Sequence, residues 1–303
     1  MNSSDLRVFE VVARAGGIGK AALELHTVQS NVTARVRHLE EELGVRLFER
    51  HRRGVTLTSS GKQLLPYALQ VGRLLAEAEQ ALRQGDGPAG TLSVGSLETT
   101  AALRLAPVLA AYHSAHPGVD IALRTGTTAS LTADVLRRRL EGALVVGPVR
   151  HEELVEEKVF AEELVVVAPA AWPTWVPREG EAKLVVFRAG CSYRQRLEAL
   201  LAGKGLVATR LLEFGTLDGI LGCVAAGIGI TMLPRAVVAR SALGAALSIH
   251  ALPANKGRVA TVFIRRRDAS VSAALGAFLA LARAINTRDH HTNGRPAGRR
   301  ATD

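Results

Sequence analysis

The hydrophobic periodicity of the chain changes at the glycine-containing segment QGDGPAG (84–90). Up to about Leu82, apolar residues recur every three or four positions, the spacing of amphipathic helices. Beyond the segment, short apolar runs alternate with helical patterns, which predicts an α/β domain with largely parallel sheets. A chain of 303 residues is long enough for two domains, each with its own core. The sequence therefore predicts a small helical domain joined through a linker to a larger α/β domain.

Three helical patterns and a hairpin come first along the chain, before a fourth, longer helix. Gly16 and Gly17 separate the first pattern from the second. The segment VRLFERHRRGVTL (45–57) contains two short extended pieces around a turn with Gly54, which is typical of a hairpin. Thr58 can cap the next helix through its hydroxyl. This order of elements indicates a winged helix-turn-helix, which is a DNA-binding layout.

The third helical pattern, TVQSNVTARVRHLEEELG (27–44), has polar residues early and three glutamates late. Val32, Val36, Leu39 and Leu43 share one face at about 100° per residue and predict a buried stripe. The opposite face begins small and uncharged and then becomes basic, so its first half suits a DNA major groove. Taken alone, this helix is interpreted equally well as an ordinary surface helix of mixed charge.

The order of elements and the charge of the hairpin favour the DNA-binding interpretation. The local excess of positive charge suits phosphates beside the groove. The net charge of +10 also favours an anionic partner, although it does not discriminate between folds. The basic residues of the hairpin are Arg46, Arg50, His51, Arg52 and Arg53, against the single acidic Glu49.

A long helix follows the hairpin, with apolar residues alternately four and three positions apart, the spacing of a coiled-coil seam. A single long helix must bury such a seam, so we expect a homodimer through this element. Pro66 lies inside the helix and removes one of its hydrogen bonds. The seam residues are Leu64, Ala68, Val71, Leu75, Ala78 and Leu82.

A pattern of fixed positions extends through residues 5–61. The positions are Ala21-Ala22, Leu25, Gln29, Leu39-Glu40, Leu43-Gly44, Leu47-Phe48, Arg50, Leu57-Thr58 and Gly61. In this pattern the chain resembles the LysR-type transcriptional regulators. The segments LAPVLAAYHSAHPGVDIALRTG, FRAGCSYRQRLEALL and CVAAGIGITMLP are similar to parts of that family's effector-binding domain. The resemblance therefore covers nearly the whole chain.

The chain departs from the family near the start of the third helix. Val28 stands where a serine is usual before the key glutamine, so Thr27 becomes the candidate N-cap. Ser30 stands where proline is common, and Thr33 keeps the hydroxyl of a usual serine. These departures retain the DNA-binding chemistry but affect which bases are read. The candidate DNA-contacting residues are Thr27, Gln29, Ser30, Asn31, Thr33, Arg35, Arg37, Arg50, Arg52 and Arg53.

The resemblance implies α/β architecture overall, with a periplasmic-binding-protein-like (type 2) C-terminal domain of two α/β lobes around a cleft. The expected parts are a winged helix-turn-helix (1–58), a linker helix and hinge (59–88), an effector-binding domain (89–286) and a disordered tail (287–303). Lobe I would comprise about 91–160 and 263–286, and lobe II about 164–260.

The resemblance also implies a sequence-specific regulator whose activity is modulated by an unidentified small-molecule effector. Its expected partners are an inverted-repeat site in double-stranded DNA, RNA polymerase and further copies of itself, assembled as a tetramer.

Cleft candidates lie at strand ends, where the family's effector-contacting hydroxyls fall. Hydroxyls and amide N–H groups suit a carboxylate or similar small anion. Helix capping is the alternative role of each threonine. The candidates are Thr99, Thr100, Thr127 and Thr128, with Ser96, Gly126 and Thr216 as weaker ones.

Cys191 is a further cleft candidate. Peroxide-sensing relatives keep a reactive cysteine near this point and a resolving cysteine a few residues later. Here the second cysteine, Cys223, lies far along the chain in an apolar helical pattern. A reactive thiol would also need a lowered pKa. We therefore interpret Cys191 as a small side chain lining the cleft rather than a redox sensor.

Motifs for catalysis are missing: the chain has no nucleophile elbow, P-loop or H-E-x-x-H sequence. HSAH (113–116) lacks a third metal ligand at suitable spacing. We expect no enzyme activity, no metal and no cofactor.

The N-terminus has no secretory pattern, and the most apolar segment (219–233) is too short to span a bilayer. These features predict a cytoplasmic protein without a membrane partner. Two alternatives remain. A solute-binding receptor is opposed by the missing export signal, and a nucleoid-like protein would bind DNA without sequence preference.

Overall fold

The computed structural model describes residues 1–51, 54–82, 87–172, 174–176 and 181–292. The chain divides into two compact units, Met1–Asp86 and Gly87–Asp303. The predicted DNA contacts Arg52 and Arg53, and residues 293–303 of the predicted tail, lie outside the described residues.

The first unit packs its helices around an apolar core, with an antiparallel hairpin beside them. Phe9, Val12, Val32 and Leu39 are fully buried, as their helical spacing predicts. The expected winged helix-turn-helix is confirmed. Its elements are α1 (Ser3–Ala15), α2 (Ile18–Glu24), α3 (Gln29–Leu43), β1 (Phe48–His51), β2 (Gly54–Leu57) and α4 (Ser59–Leu82).

The hairpin docks on the turn between α1 and α2. Gly16 ends α1 in the left-handed conformation, with φ of 66°. The Val55 amide donates to the Gly16 carbonyl over 3.1 Å. A Cβ on Gly54, whose φ is 136°, would lie only 2.3 Å from the Gly16 oxygen. Glycine at position 54 is therefore required by both its backbone conformation and this close approach.

The buried stripe of α3 ends earlier than the sequence predicts. Val32, Val36 and Leu39 are buried, but Leu43 is 36% exposed. The helix ends at Leu43, and Gly44 turns the chain away with φ of 67°. The last predicted stripe residue therefore lies at the edge of the core.

The apolar seam of α4 divides into two parts. Leu64, Ala68 and Val71 pack against the core of the first unit. In the second part of the seam Leu75 is 47% exposed, and its neighbour Leu74, which is outside the seam, is 45% exposed. The prediction that the whole seam faces a partner is therefore wrong for its first half, because that half contributes to the unit's own core.

The second unit contains a seven-stranded sheet and a separate parallel pair of strands within its described residues. The strands are β3 (Gly90–Leu97), β4 (Val119–Gly126), β5 (Gly142–Val146), β6 (Leu154–Pro169), β7 (Glu181–Phe187), β8 (Val207–Phe214), β9 (Thr231–Pro234), β10 (Leu247–Ala251) and β11 (Arg258–Arg266). In the large sheet the order is β10-β6-β11-β5-β3-β4, with β9 also paired to β6.

Helices cover these strands. They are α5 (Glu98–Thr100), α6 (Ala106–Ala115), α7 (Thr128–Leu136), α8 (Ser192–Ala202), α9 (Leu217–Ala225), α10 (Arg235–Ala239), α11 (Ala254–Gly257) and α12 (Ala273–Thr292). A π-helical turn, Ala101–Leu105, joins α5 to α6, and a 3₁₀ turn, Gly244–Ala246, precedes β10.

The sheets are mixed rather than largely parallel as predicted. Strand β3 is parallel to β4 and β5, and β7 is parallel to β8. Strands β6 and β11 instead pair antiparallel with each other, and β6 also pairs antiparallel with β9 and β10. The predicted lobe boundaries fall inside β6 and β11, whose pairing shifts register between Thr261 and Val262. Both predicted boundaries therefore lie within continuous strands of one sheet, and the pairs that these two strands make are antiparallel.

The described residues of the tail predicted to start at 287, up to Thr292, are helical and belong to α12. Leu275, Phe278 and Ala282 anchor α12 in the core that also contains Tyr112. Apolar spacing stops after this anchor, but the helix continues through polar residues. Within the described part of the chain, no helix is both long and apolar enough to cross a membrane.

Candidate DNA interface and effector cleft

The first turn of α3 presents polar side chains to solvent. Gln29, Ser30 and Asn31 are exposed, while Val32 behind them is fully buried. A Cβ on Gly19 would lie 3.1 Å from the Gln29 amide nitrogen, so this side chain lies against α2 where there is no Cβ. The turn thus offers amide and hydroxyl groups from a fixed helix start, which is where a groove-binding helix contacts base edges.

The start of α3 differs from the prediction by one residue. Val28, rather than Thr27, occupies the N-cap position, and its side chain makes no capping hydrogen bond. The Thr27 hydroxyl instead accepts from the Asn31 side-chain amide over 2.9 Å. Thr27 therefore orients Asn31 rather than capping the helix.

Two predicted arginines on α3 differ in their surroundings. Arg37 is exposed. Arg35 donates to the Ser4 hydroxyl over 2.7 Å and to the Asp5 carboxylate over 3.1 Å. Because Asp5 is 4% exposed, this ion pair ties α3 to α1. Arg35 therefore links the two helices. Its side chain is 39% exposed, and its contact with DNA stays a prediction.

The predicted wing corresponds to β1 and β2, and Arg50 in β1 is exposed. Glu40 accepts from the backbone amides of Leu47 and Phe48, at 2.7 and 3.2 Å. This carboxylate at the end of α3 therefore fixes the start of the wing. The sequence analysis noted the three glutamates without assigning them a role, so this positioning role was not predicted.

A cleft of about 150 Å³ lies among strand ends of the second unit. Four predicted candidates line it: Thr99, Gly126, Thr127 and Cys191. The other lining residues are Leu97, Glu98, Thr125, Phe187, Arg188, Tyr193, Phe214 and Gly215.

Four other candidates lie outside that lining. Ser96 is fully buried and donates to the Leu97 carbonyl over 3.0 Å. Thr100 is 4% exposed. Thr128 accepts from the Ser192 hydroxyl over 3.0 Å, and Thr216 caps α9 through the Gly219 amide. For Thr216 capping, the alternative role, is the one observed.

The two sides of the cleft touch at the start of α7. The Thr127 side chain caps this helix in a reciprocal pair with Ser130. The Ala129 amide donates to the Gly190 carbonyl over 3.3 Å. A Cβ on Gly190, whose φ is 88°, would lie 2.8 Å from the Ala129 Cβ. Glycine therefore allows the loop before α8 to approach α7.

Two of the hydroxyl groups that line the cleft, those of Thr99 and Tyr193, belong to buried side chains. Thr99 Oγ1 lies 3.4 Å from the Tyr193 hydroxyl, and both side chains are at most 3% exposed. Burial raises the pKa of Tyr193, so the phenol stays neutral and able to donate.

Cys191 precedes α8 and is 5% exposed. Burial raises the pKa of its thiol, against a smaller lowering by the Arg194 and Tyr193 amides. A raised pKa leaves little thiolate at neutral pH, which opposes redox reactivity. This agrees with its interpretation as a small lining side chain.

Charged and aromatic side chains also line the cleft, and none of them was predicted from the sequence. Glu98 follows β3 directly, and Arg188 follows β7 directly. Both residues therefore occupy strand ends, as the predicted threonines do. Charged residues at strand ends were a signal available in the sequence. Phe187 and Phe214 end β7 and β8 and carry no separate signal. In the described ranges, no three His, Cys, Asp or Glu side chains are grouped to hold a metal.

Two family models match the chain. "Bacterial regulatory helix-turn-helix protein, lysR family" matches residues 3–62, and "LysR substrate binding domain" matches residues 85–286. The HTH-type transcriptional regulator GltR of Bacillus subtilis (strain 168) is 42% identical over 298 residues, which are 98% of this chain and 99% of GltR.

Two solved structures have a similar fold. A full-length OxyR variant from Pseudomonas aeruginosa has a TM-score of 0.69 at 21% identity, covering 93% of this chain and 98% of that one. Full-length CbnR in complex with its target DNA has a TM-score of 0.64 at 23% identity, covering 94% of this chain and 100% of that one.

Proposed function

The chain belongs to the LysR family of bacterial transcriptional regulators, and we propose that it reads an inverted-repeat DNA site through α3 and responds to a small molecule in its cleft. It is a DNA-binding regulator with an effector-binding domain.

The observation that best supports the DNA-reading role is the exposed first turn of α3 above its buried stripe. Gln29, Ser30 and Thr33 would contact base edges, where amide and hydroxyl groups discriminate between bases. Arg37 would contact guanine or phosphate, and Arg50 in the hairpin would contact phosphate. Arg52 and Arg53 belong to this proposal on sequence grounds, because they continue the basic wing.

An inverted-repeat site matches a dimer, because a dimer with two-fold symmetry places its two recognition helices on two half-sites. We assign the contact to the second half of the α4 seam, where Leu75 is exposed, together with the adjacent exposed Leu74. A tetramer of two such dimers and contact with RNA polymerase are further parts of the proposal, supported by the family alone.

The cleft would bind the effector, with Thr99, Thr127 and the start of α7 offering hydroxyl and amide groups suited to a carboxylate. Effector binding changes regulation only if it favours one arrangement of the assembly over another. We propose that the ligand shifts the population of lobe arrangements and, through them, the geometry of the paired DNA-binding units.

We further propose that the protein acts in the cytoplasm and catalyses no reaction. Its relative GltR is named a transcriptional regulator, and the cleft has hydroxyls but no nucleophile–base pair among its described lining residues.

Selection of binding sites from a random duplex pool tests the proposal. We expect one enriched motif with two-fold symmetry, its half-sites spaced by whole helical turns of about 10–10.5 base pairs. A pool without enrichment would favour a nucleoid-like protein instead.

A further inference from the structure

Two side chains of opposite charge line the cleft without forming an ion pair with each other. Glu98 and Arg188 both line it, one after β3 and the other after β7. Within the described ranges, neither charged group is ion-paired or hydrogen-bonded. Arg194, three residues after Cys191, is by contrast paired with both Glu198 and Glu213.

Hydroxyl groups and apolar rings line the cleft around these two charges. A Cβ on Gly215 would lie 3.4 Å from Arg188 Nη2. The guanidinium therefore packs beside a residue that has no side chain. Hydroxyls of Thr99 and Thr127 line the same cleft, and Phe187 and Phe214 provide apolar walls. The volume of about 150 Å³ is below the roughly 300–1,000 Å³ of sites for drug-sized ligands.

We infer that the effector is a small ampholyte of the amino-acid class, with its carboxylate at Arg188 and its ammonium group at Glu98. This inference rests on the proposed effector function and sharpens the expectation of a simple anion. An anion alone would face the like charge of Glu98, and a cation alone would face Arg188. Only a ligand with both charges satisfies both walls of the cleft.

Calorimetry on the intact protein tests this ligand class. The probes are the twenty protein L-amino acids, each beside its amine-free acid and its carboxylate-free amine. We expect at least one amino acid to bind about ten- to a hundredfold more tightly than either analogue. Binding by no amino acid, or equal binding of the amine-free acid, would overturn the inference.

Two isosteric variants separate the charges. Glu98→Gln should weaken the amino acid about ten- to a hundredfold but not its amine-free acid. Arg188→Gln should weaken both compounds. The exposed Glu152 and Arg150 provide matched controls, Glu152→Gln and Arg150→Gln, which should change neither affinity. If Glu98→Gln leaves the preference for the amine intact, the assignment is wrong. Site selection on DNA is measured separately, so failure here is distinguishable from failure of the regulator proposal.

A second observation concerns the start of α3. Val28 occupies the N-cap, where a hydroxyl or carboxylate would bond a free backbone amide, yet its apolar side chain is 65% exposed. It stands beside Gln29 and Ser30, on the turn assigned to base edges. In the major groove the apolar group that suits it is the C5-methyl of thymine. We infer that Val28 contacts a thymine methyl in each half-site, which rests on the proposed DNA-reading role of α3.

Replacing single thymines of the selected site by uracil removes only the methyl group. We expect one position per half-site at which the wild-type protein loses about fourfold in affinity. Val28→Ser should abolish that sensitivity, whereas the exposed control Val45→Ser should keep it. Uniform affinity across all uracil substitutions, or unchanged sensitivity in Val28→Ser, would overturn the inference.

Discussion

The residues assigned to DNA lie within one stretch of chain, whereas those lining the cleft come from four separate segments: 97–99, 125–127, 187–193 and 214–215. One helix and one hairpin therefore define the DNA face, and it depends on a single small core. The cleft depends on how two lobes sit against each other. The first arrangement favours a fixed reading surface, and the second favours a site that responds when its walls move.

The largest expected effect comes from the core beneath the DNA face. Leu39→Ala removes a fully buried side chain and should destabilise the first unit by about 2–5 kcal/mol. Hydrogen exchange measured by mass spectrometry should show faster exchange in α1 and α3, with peptides of the cleft unchanged. Leu43→Ala, on the same helix but 36% exposed, is the control and should cost less than about 1 kcal/mol. Similar losses from both would contradict the assigned core.

The next effect concerns the contact between the cleft walls. Gly190→Ala adds a Cβ 2.8 Å from that of Ala129, so this overpacking should cost about 1–3 kcal/mol and weaken ligand binding. Gly205→Ala is matched, because Gly205 also has a positive φ, of 71°, but has no atom within 4 Å of the added Cβ. Calorimetry of both variants isolates the clash from the backbone strain. Equal ligand affinities in the two variants would mean that this contact does not shape the cleft.

The cleft and the DNA face also differ in how far the sequence predicted them. Helical spacing placed Val32, Val36 and Leu39 correctly, because a contiguous helix fixes its own faces. Of the residues that line the cleft, Thr99 and Thr127 were predicted from their positions at strand ends, but Arg188 was not. Which strand ends meet depends on the strand order of the sheets, and no local pattern encodes that order. The ion pair of Arg35 was not predicted for the same reason, since its partner Asp5 lies on another helix.

Within the DNA face, base-reading and phosphate-binding residues should respond differently to substitution. Gln29→Ala or Thr33→Ala should lose about 1–3 kcal/mol of discrimination between the selected site and its mismatches. Arg50→Ala should weaken all sequences alike and reduce the salt slope by about one. Fluorescence anisotropy across a salt series measures both quantities. The roles are wrong if the two kinds of variant behave alike.

The smallest effect concerns Cys191. Burial raises the pKa of its thiol, so the reactive thiolate forms only at a pH above the ordinary range for cysteine. In a Cys223→Ser protein, alkylation of Cys191 by iodoacetamide should be slow at neutral pH and should accelerate at higher pH. Mass spectrometry gives the rates, with urea-unfolded protein as the control. Rapid alkylation of the folded protein at pH 7 would restore the redox interpretation.

The central claim is that the exposed first turn of α3 reads sequence rather than charge alone. Its direct test is the ratio of affinities for the selected site and for random DNA, measured at one physiological salt concentration. Sequence reading predicts a ratio of at least ~10³ in the wild-type protein, reduced by Gln29→Ala. A ratio within a few-fold of one would contradict it and leave only electrostatic binding to the phosphates.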